Sequence, residues 1–208
     1  MMLQALLLAS LATVALASIC CAPQQWEGFK AVSSFDASGI NRYLQGYSYD
    51  AINQRYAVSG NYTAAFLGTY KEVWDYGKGT GFRINSLTQT CETFAVTGRF
   101  PANCIPSDAL ELSPATFGFG KERLPSIPYQ FNDTRGEFKN IVAYVSAKNC
   151  VPITTSTITQ RPGGNVLNIE CFNEILPGIK DLSVFDPPYY CRKTAKKVAS
   201  TMNDNVLV

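Results

Sequence analysis

The most restrictive feature of this sequence is a succession of short segments rich in β-branched and aromatic residues, separated by turn residues about every ten positions. No helical periodicity is sustained before the C-terminal end. Such spacing is typical of antiparallel sheets built from consecutive hairpins. It predicts an all-β, mainly antiparallel fold, with a minor helical element over Thr194–Met202.

The clearest hairpins lie near the middle of the chain. Thr69–Tyr76 alternates between two faces, the glycine-rich turn Gly77–Gly81 follows, and Phe82–Asn85 resumes the strand pattern. A second turn leads into Thr90–Val96, which completes a three-stranded meander. If both hairpin registers hold, alternation sends six apolar side chains to one face, either as a wall of a ligand chamber or as ordinary core: Trp74, Tyr76, Phe82, Ile84, Phe94 and Val96.

Later strands are predicted at Phe138–Ser146, Val151–Gln160 and Asn165–Ile175. Between residues 100 and 129 lie five prolines, each of which removes a backbone donor from any ladder. This composition predicts a long irregular connection without a central strand, interrupted by one strand at Ala115–Phe119.

The N-terminus has the pattern of a secretory signal peptide. Ala5–Leu16 is apolar but too short to span a bilayer, and Ala15 and Ala17 are the small residues expected before a cleavage site. We expect residues 1–17 to be removed and residues 18–208 to form a single domain. No later segment approaches the length of a membrane span.

Seven cysteines follow this leader, and in an oxidising compartment disulfides are their expected fate. No C-x-x-C spacing indicates a thiolate metal site. Three bridges and one unpaired thiol are the natural count, and the spacing alone leaves fifteen pairings open for any six cysteines. The seven are Cys20, Cys21, Cys91, Cys104, Cys150, Cys171 and Cys191.

The chain contains no histidine, which removes histidine-dependent triads and histidine-ligated zinc from consideration. A formal net charge of +2 without runs of like charge indicates neither a nucleic-acid nor an anionic-membrane partner. We therefore expect no enzyme, no catalytic residue and no required cofactor. The glycines from Gly77 to Gly81 precede a strand instead of a helix, which favours a hairpin turn over a phosphate-binding loop.

Three acidic residues near the C-terminal end, Glu174, Asp181 and Asp186, are candidates for a calcium site or for a solvated acidic rim. No EF-hand loop pattern is present, so the metal site remains unknown. Two N-glycosylation sequons begin at Asn61 and Asn132, and the polar residues after Asn132 favour it as a surface turn.

Four sequence blocks resemble the ependymin-related proteins. They are C-A-P-Q-Q-W-E-G from Cys21, Y-D-A-I-N-Q-R from Tyr49, K-N-C-V-P from Lys148 and S-V-F-D-P-P-Y-Y-C from Ser183. Their order spans the whole chain after the leader. The resemblance implies a secreted, often N-glycosylated protein whose two stacked, curved sheets form a half-barrel with a hydrophobic chamber, as in lipoprotein carriers. It also associates the protein with calcium, extracellular matrix or lysosomes, and homodimers.

The resemblance further implies that Cys21 pairs with Cys150 and Cys91 with Cys191. Cys104 and Cys171 are additional to the family pattern, and the simplest hypothesis joins them, which leaves Cys20 unpaired.

Two functions of different class follow. The first is a carrier that binds a hydrophobic or lipid-like ligand between its sheets, with the six-residue wall as one side of the chamber. The second is calcium-dependent matrix adhesion through the protein surface and its glycans.

Overall fold

The computed structural model describes residues 20–61, 69–132, 139–161, 164–191 and 196–198. Within these ranges lie thirteen strands and one short 3-10 helix, Leu182–Phe185. The strands are β1 (Gln25–Asp36), β2 (Gly39–Asp50), β3 (Arg55–Asn61), β4 (Thr69–Asp75), β5 (Thr80–Asn85), β6 (Thr90–Ala95), β7 (Leu110–Glu111), β8 (Ala115–Phe119), β9 (Glu122–Phe131), β10 (Lys139–Ser146), β11 (Pro152–Arg161), β12 (Gly164–Pro177) and β13 (Lys196–Val198).

All of these strands belong to one curved sheet that does not close on itself. Its order is β13-β6-β5-β4-β3-β2-β1-β12-β11-β10-β9-β7, and β8 also pairs with β9. Every pairing is antiparallel except that of β13 with β6. The predicted all-β, mainly antiparallel class is confirmed. The pairing of β1 with β12 joins strands β1–β6 to strands β7–β12 within the same sheet.

One face of the sheet carries a continuous aromatic core. Trp26 pairs with Tyr49, Tyr49 with Tyr56, and Tyr56 with Trp74, so four large rings lie side by side across four strands. Tyr56 and Trp74 stack with centroids 5.7 Å apart, and all four side chains are buried. Offset stacking of this kind adds about 1 kcal/mol per pair to the apolar burial. We call this cluster, which also contains Tyr47, Phe94 and Phe172, the aromatic core.

The C-terminal segment 179–191 covers part of the opposite face. Ala57, Val73 and Ile84 are buried on this face, together with Phe185 of the 3-10 helix. A disulfide between Cys91 of β6 and Cys191 holds the end of the segment against the sheet. This bond is the one that the family resemblance implied.

The other disulfides differ from the expected pairs. Cys20 is not unpaired but bonds Cys150, and Cys21 bonds Cys104 instead of Cys150. Adjacent residues in extended chain point to opposite sides, so Cys20 enters a buried cluster beside β10 while Cys21 meets the loop that carries Cys104. The expected bond between Cys104 and Cys171 is wrong, because Cys171 is an exposed free thiol on β12.

The expectation of no central strand between residues 100 and 129 is also wrong. β9 contains Pro125 and Pro128 and has neighbours on both sides, β10 on one and β7 and β8 on the other. Each proline still uses its carbonyl: Leu112 N donates to Pro128 O at 2.9 Å and Ala147 N to Pro125 O at 3.0 Å. A proline removes one donor and leaves its acceptor available, which is tolerable at a strand with short partners.

The helix expected over Thr194–Met202 is contradicted where the structure describes that range, because Lys196–Val198 forms β13. The remainder of the range lies outside the described residues, as do the signal peptide expected at residues 1–17 and its cleavage site.

Candidate ligand-binding groove

A groove lies on the face opposite the aromatic core, and its floor is one row of cross-strand neighbours. Phe29 of β1 pairs with Gly46 of β2, Gly46 with Ser59 of β3, Ser59 with Lys71 of β4, and Lys71 with Ile84 of β5. Gly46 and Ser59 are the small residues of this row. The floor is therefore recessed between Phe29 and Lys71.

The walls come from β2 and from the C-terminal segment. Leu44 rises beside the floor, and Asp186, Pro188 and Tyr190 close the other side, around a volume of about 570 Å³. This volume is typical of a small-molecule site. Phe29 and Leu44 remain 43% and 55% exposed, so apolar surface faces the groove and none of the described segments covers it. Unpartnered apolar surface of this kind favours binding of an apolar group.

Two of the sequence blocks that mark the family meet where the C-terminal segment is anchored. Arg55 ends the block Y-D-A-I-N-Q-R, and its guanidinium lies 4.2 Å from the ring centroid of Phe185 in the block S-V-F-D-P-P-Y-Y-C. Asp181 caps the 3-10 helix by accepting hydrogen bonds from the backbone amide and hydroxyl of Ser183, at 2.9 and 2.8 Å. These contacts and the Cys91–Cys191 bond fix the position of the groove's outer wall.

Asp50 positions Arg55 for its contact with Phe185. Its buried carboxylate accepts hydrogen bonds from Gln25 Nε2 at 2.9 Å, from the Asn53 backbone and side-chain amides at 3.2 and 2.8 Å, and from Arg55 Nε at 2.9 Å. Burial raises the pKa of Asp50, but the hydrogen bonds from Asn53, Gln25 and Arg55 together outweigh it and hold the pKa below its usual value. Asp50 thus stays ionised and orients Arg55.

Lys71 is the cation of the groove. Burial lowers the pKa of Lys71, and the nearby carboxylates of Asp186 and Asp181 act in the opposite direction. The side-chain ammonium of Lys71 forms no hydrogen bond or ion pair with any described residue. Hydrogen bonds from Ser183 hold the pKa of Asp181 below its usual value. The groove therefore combines apolar walls with one ammonium and a neighbouring acidic group.

The six residues predicted to share one face do not do so. Trp74, Tyr76, Phe94 and Val96 lie together in the aromatic core, whereas Phe82 and Ile84 lie on the opposite face. The four-residue turn between Asp75 and Thr80 is the cause. A loop with an even number of residues pairs even-numbered positions with odd-numbered ones, which shifts the faces of β5 by one residue.

Gly81 takes the place opposite Trp74 that the sequence pattern assigned to a large side chain. The Phe94 ring fills the space above it, 4.5 Å from the centroid of Trp74. Of the six predicted residues, Ile84 is the one that lines the groove. Phe29, Leu44 and Lys71 were missed. The alternation of Thr69–Tyr76 gave no signal for Lys71, because it places this lysine with Thr69, Val73 and Asp75, on the side opposite the predicted wall.

The remaining predicted site residues lie apart from one another. Glu174 is exposed, Asp181 caps the 3-10 helix and Asp186 lines the groove. No three acidic or sulfur ligands among the described residues are close enough to hold a metal ion. Asn132 is exposed, and its side-chain oxygen accepts a hydrogen bond from Asn140 N. Asn61 ends β3, and the rest of its sequon lies outside the described residues.

The described residues include no helix long and apolar enough to cross a membrane. Together the fold and the groove define a disulfide-bonded protein built on one open, curved antiparallel sheet, with an apolar groove on one face. A family model described as Ependymin matches residues 67–191. The chain belongs to the ependymin family, which confirms the resemblance seen in the sequence.

Relatives match over nearly the whole chain. "Ependymin-related protein 1" of Haliotis asinina is 39% identical over 198 residues, which cover 92% of this chain and 99% of that protein. "Mammalian ependymin-related protein 1" of Mus musculus is 27% identical over 175 residues, 83% of this chain and 76% of that protein. Among solved structures, an uncharacterized conserved protein from Thermus thermophilus has a TM-score of 0.51 at 10% identity, covering 85% of this chain and 91% of that one. A LolA superfamily protein from Nitrosomonas europaea has a TM-score of 0.43 at 9% identity, covering 83% and 94%.

Proposed function

We propose that this protein is a secreted, non-enzymatic carrier that holds a hydrophobic or amphipathic ligand in the groove above Gly46 and Ser59. The observation that carries the proposal is the groove itself: about 570 Å³ beside exposed Phe29 and Leu44, on a face that the aromatic core does not fill. Burying apolar ligand surface there contributes about 25 cal/mol per Å². The floor is a sheet of five hydrogen-bonded strands, so the site is formed before the ligand arrives.

Secretion and glycosylation belong to the same proposal. Three disulfides suit an oxidising compartment, and the exposed side chain of Asn132 is accessible to glycosylation. Modification of Asn61 is proposed on its sequon alone. Calcium binding, matrix adhesion, a lysosomal location and dimerisation remain predictions of the family resemblance.

The test is to fill the groove. Ser59 is exposed at the centre of the floor, so Ser59→Trp places a large ring in the groove without disturbing the core. We expect wild-type protein to bind an apolar fluorescent probe saturably and Ser59→Trp to lose that binding. Thr116→Trp, at an exposed strand position on β8, is the matched control and should bind as wild type does. Equal binding by Ser59→Trp would place the ligand elsewhere and refute the site.

A further inference from the structure

The groove contains two opposite charges that interact electrostatically but make no direct contact with each other. The ammonium of Lys71 and the carboxylate of Asp186 both line it, and neither side chain has a hydrogen bond or an ion pair with any described residue. Lys71 is half-buried, and a charge that is partly removed from water is costly unless a partner of opposite sign satisfies it. Asp186 is exposed and therefore accessible to a ligand. Two opposite charges at one end of an apolar groove are a recognition pattern for a ligand that carries both signs.

The surroundings distinguish this pattern from a site for a simple anion or a simple cation. Asp181 adds a second carboxylate close enough to act on Lys71, so the local charge disfavours a purely anionic headgroup. Lys71 itself disfavours a purely cationic one, because it lies at the floor of the same groove. Tyr190 contributes an aromatic ring to the same groove as Asp186, and such rings attract alkylated ammonium groups.

The apolar end lies at a distance that suits an alkyl chain. Phe29 and Lys71 are three strand spacings apart along the cross-strand row, which is about 14 Å. Gly46 and Ser59 between them leave the floor low. A volume of about 570 Å³ is that of a single small-molecule site, which favours one chain over two.

We infer that the groove recognises a single-chain zwitterionic amphiphile, whose phosphate meets Lys71, whose ammonium meets Asp186 and Tyr190, and whose alkyl chain lies along Gly46 toward Phe29 and Leu44. The inference rests on the proposed function, since it assigns the headgroup chemistry of the same groove. Lys71 donates a charge-assisted hydrogen bond to the phosphate, while the ammonium forms an ion pair with Asp186 and a cation–π contact with Tyr190.

The experiment compares four amphiphiles with the same dodecyl chain by isothermal titration calorimetry, each below its micelle concentration: phosphocholine, sulfate, trimethylammonium and maltoside. We expect the phosphocholine compound to bind about tenfold more tightly than the other three. Lys71→Gln and Asp186→Asn should each weaken its binding about tenfold. Lys121→Gln and Asp108→Asn change exposed charges outside the groove and should leave affinity unchanged.

The outcomes test the headgroup assignment and the position of the groove separately. If Ser59→Trp abolishes binding of all four compounds while the two charge variants leave the ranking unaltered, the groove stands and the zwitterion inference falls. Tight binding of the sulfate compound that depends on Lys71 alone would also overturn the inference, in favour of an anion. If Ser59→Trp changes nothing, the proposed site itself is wrong. Thermal unfolding of each variant verifies that it is folded.

Discussion

At the scale of single residues, the family block Y-D-A-I-N-Q-R has a physical explanation in Asp50. The β2–β3 hairpin closes around its carboxylate, with Asn53 donating from within the turn and Arg55 from the next strand. Gln54 adopts a left-handed conformation with φ of 51°, which the turn requires. One buried charge thus fixes the turn and aims Arg55 at Phe185, so the block stabilises the groove wall without lining it.

Replacing Asp50 by alanine should destabilise the fold by about 3 kcal/mol, because it leaves Arg55, Gln25 and Asn53 without their shared acceptor. Urea denaturation measures the change. Lys180→Ala is the control, since it breaks the exposed pair with Glu27 at 3.8 Å, and such pairs contribute about 1 kcal/mol or less. Similar losses for both variants would contradict the role given to Asp50.

The same carboxylate makes stability depend on pH in a defined direction. Its pKa is lower in the folded protein than in the unfolded chain, so the unfolded state binds more protons as the solution is acidified. The stabilisation is present above the unfolded value of about 3.9 and is lost as pH falls through the folded value. We expect the stability difference between wild type and Asp50→Asn to narrow between pH 5 and pH 2 in a series of urea titrations, as ~3.9 is crossed. A constant difference would show that Asp50 is not responsible.

At the scale of elements, packing in the meander β4–β5–β6 requires a glycine at position 81. A Cβ at Gly81 would lie 2.3 Å from the Phe94 ring. Gly81→Ala should therefore cost about 1–3 kcal/mol through overpacking, measured by thermal or urea unfolding. Gly77→Ala, in the same hairpin and with its nearest contacts at 3.4 Å, is the matched control.

A double variant tests the mechanism. Phe94→Leu shortens the side chain that a Cβ at residue 81 would meet, so the cost of Gly81→Ala should be smaller in that background than in wild type. Additive losses would show that the two positions do not contact each other.

Elements whose sequence alternates regularly were predictable, and those under other constraints were not. The predicted bounds of Ala115–Phe119 agree with β8, and those of β10, β11 and β12 differ by at most two residues at either end. β1, β2 and β3 received no prediction. In β1, Phe29 is apolar but faces the groove and Lys30 is charged but buried beside Glu170, so alternation is masked on both faces.

The groove was harder to predict than the strands that form it. Its floor joins Phe29 to Ile84 through a register that passes along five strands, and each hairpin loop must have the right length for the row to align. The even-residue turn after Asp75 is the point where the predicted wall went wrong. Alternation within one strand predicts which face each side chain occupies. A site that spans several strands also depends on the lengths of the loops between them, and turn composition indicates those lengths only loosely.

At the scale of the whole molecule, the disulfides connect three regions of the chain. Cys20 and Cys21 lie side by side but bond to residues 130 and 83 positions away, and Cys91 bonds 100 positions ahead. In native protein we expect maleimide to label one thiol, Cys171. Mass spectrometry of the labelled peptides identifies it, and labelling of Cys20 would contradict the bond pattern.

The neighbouring cysteines can be distinguished by substitution. Cys20→Ser should release the thiol of Cys150, and Cys21→Ser that of Cys104. Each variant should also lose about 2–5 kcal/mol of stability, whereas Cys171→Ser should be close to neutral. Release of Cys150 by Cys21→Ser would restore the pairing that the family resemblance implied.

The pairing of β1 with β12 sets an order of events while the chain is being made. β2 follows β1 at once and covers one of its edges, but the other edge belongs to a strand that the ribosome delivers near the end. During that interval β1 presents a row of unpaired amides and carbonyls, the surface by which nascent chains associate wrongly. β1, an interior strand of the finished sheet, is thus an edge strand of the nascent chain until β12 has been translated.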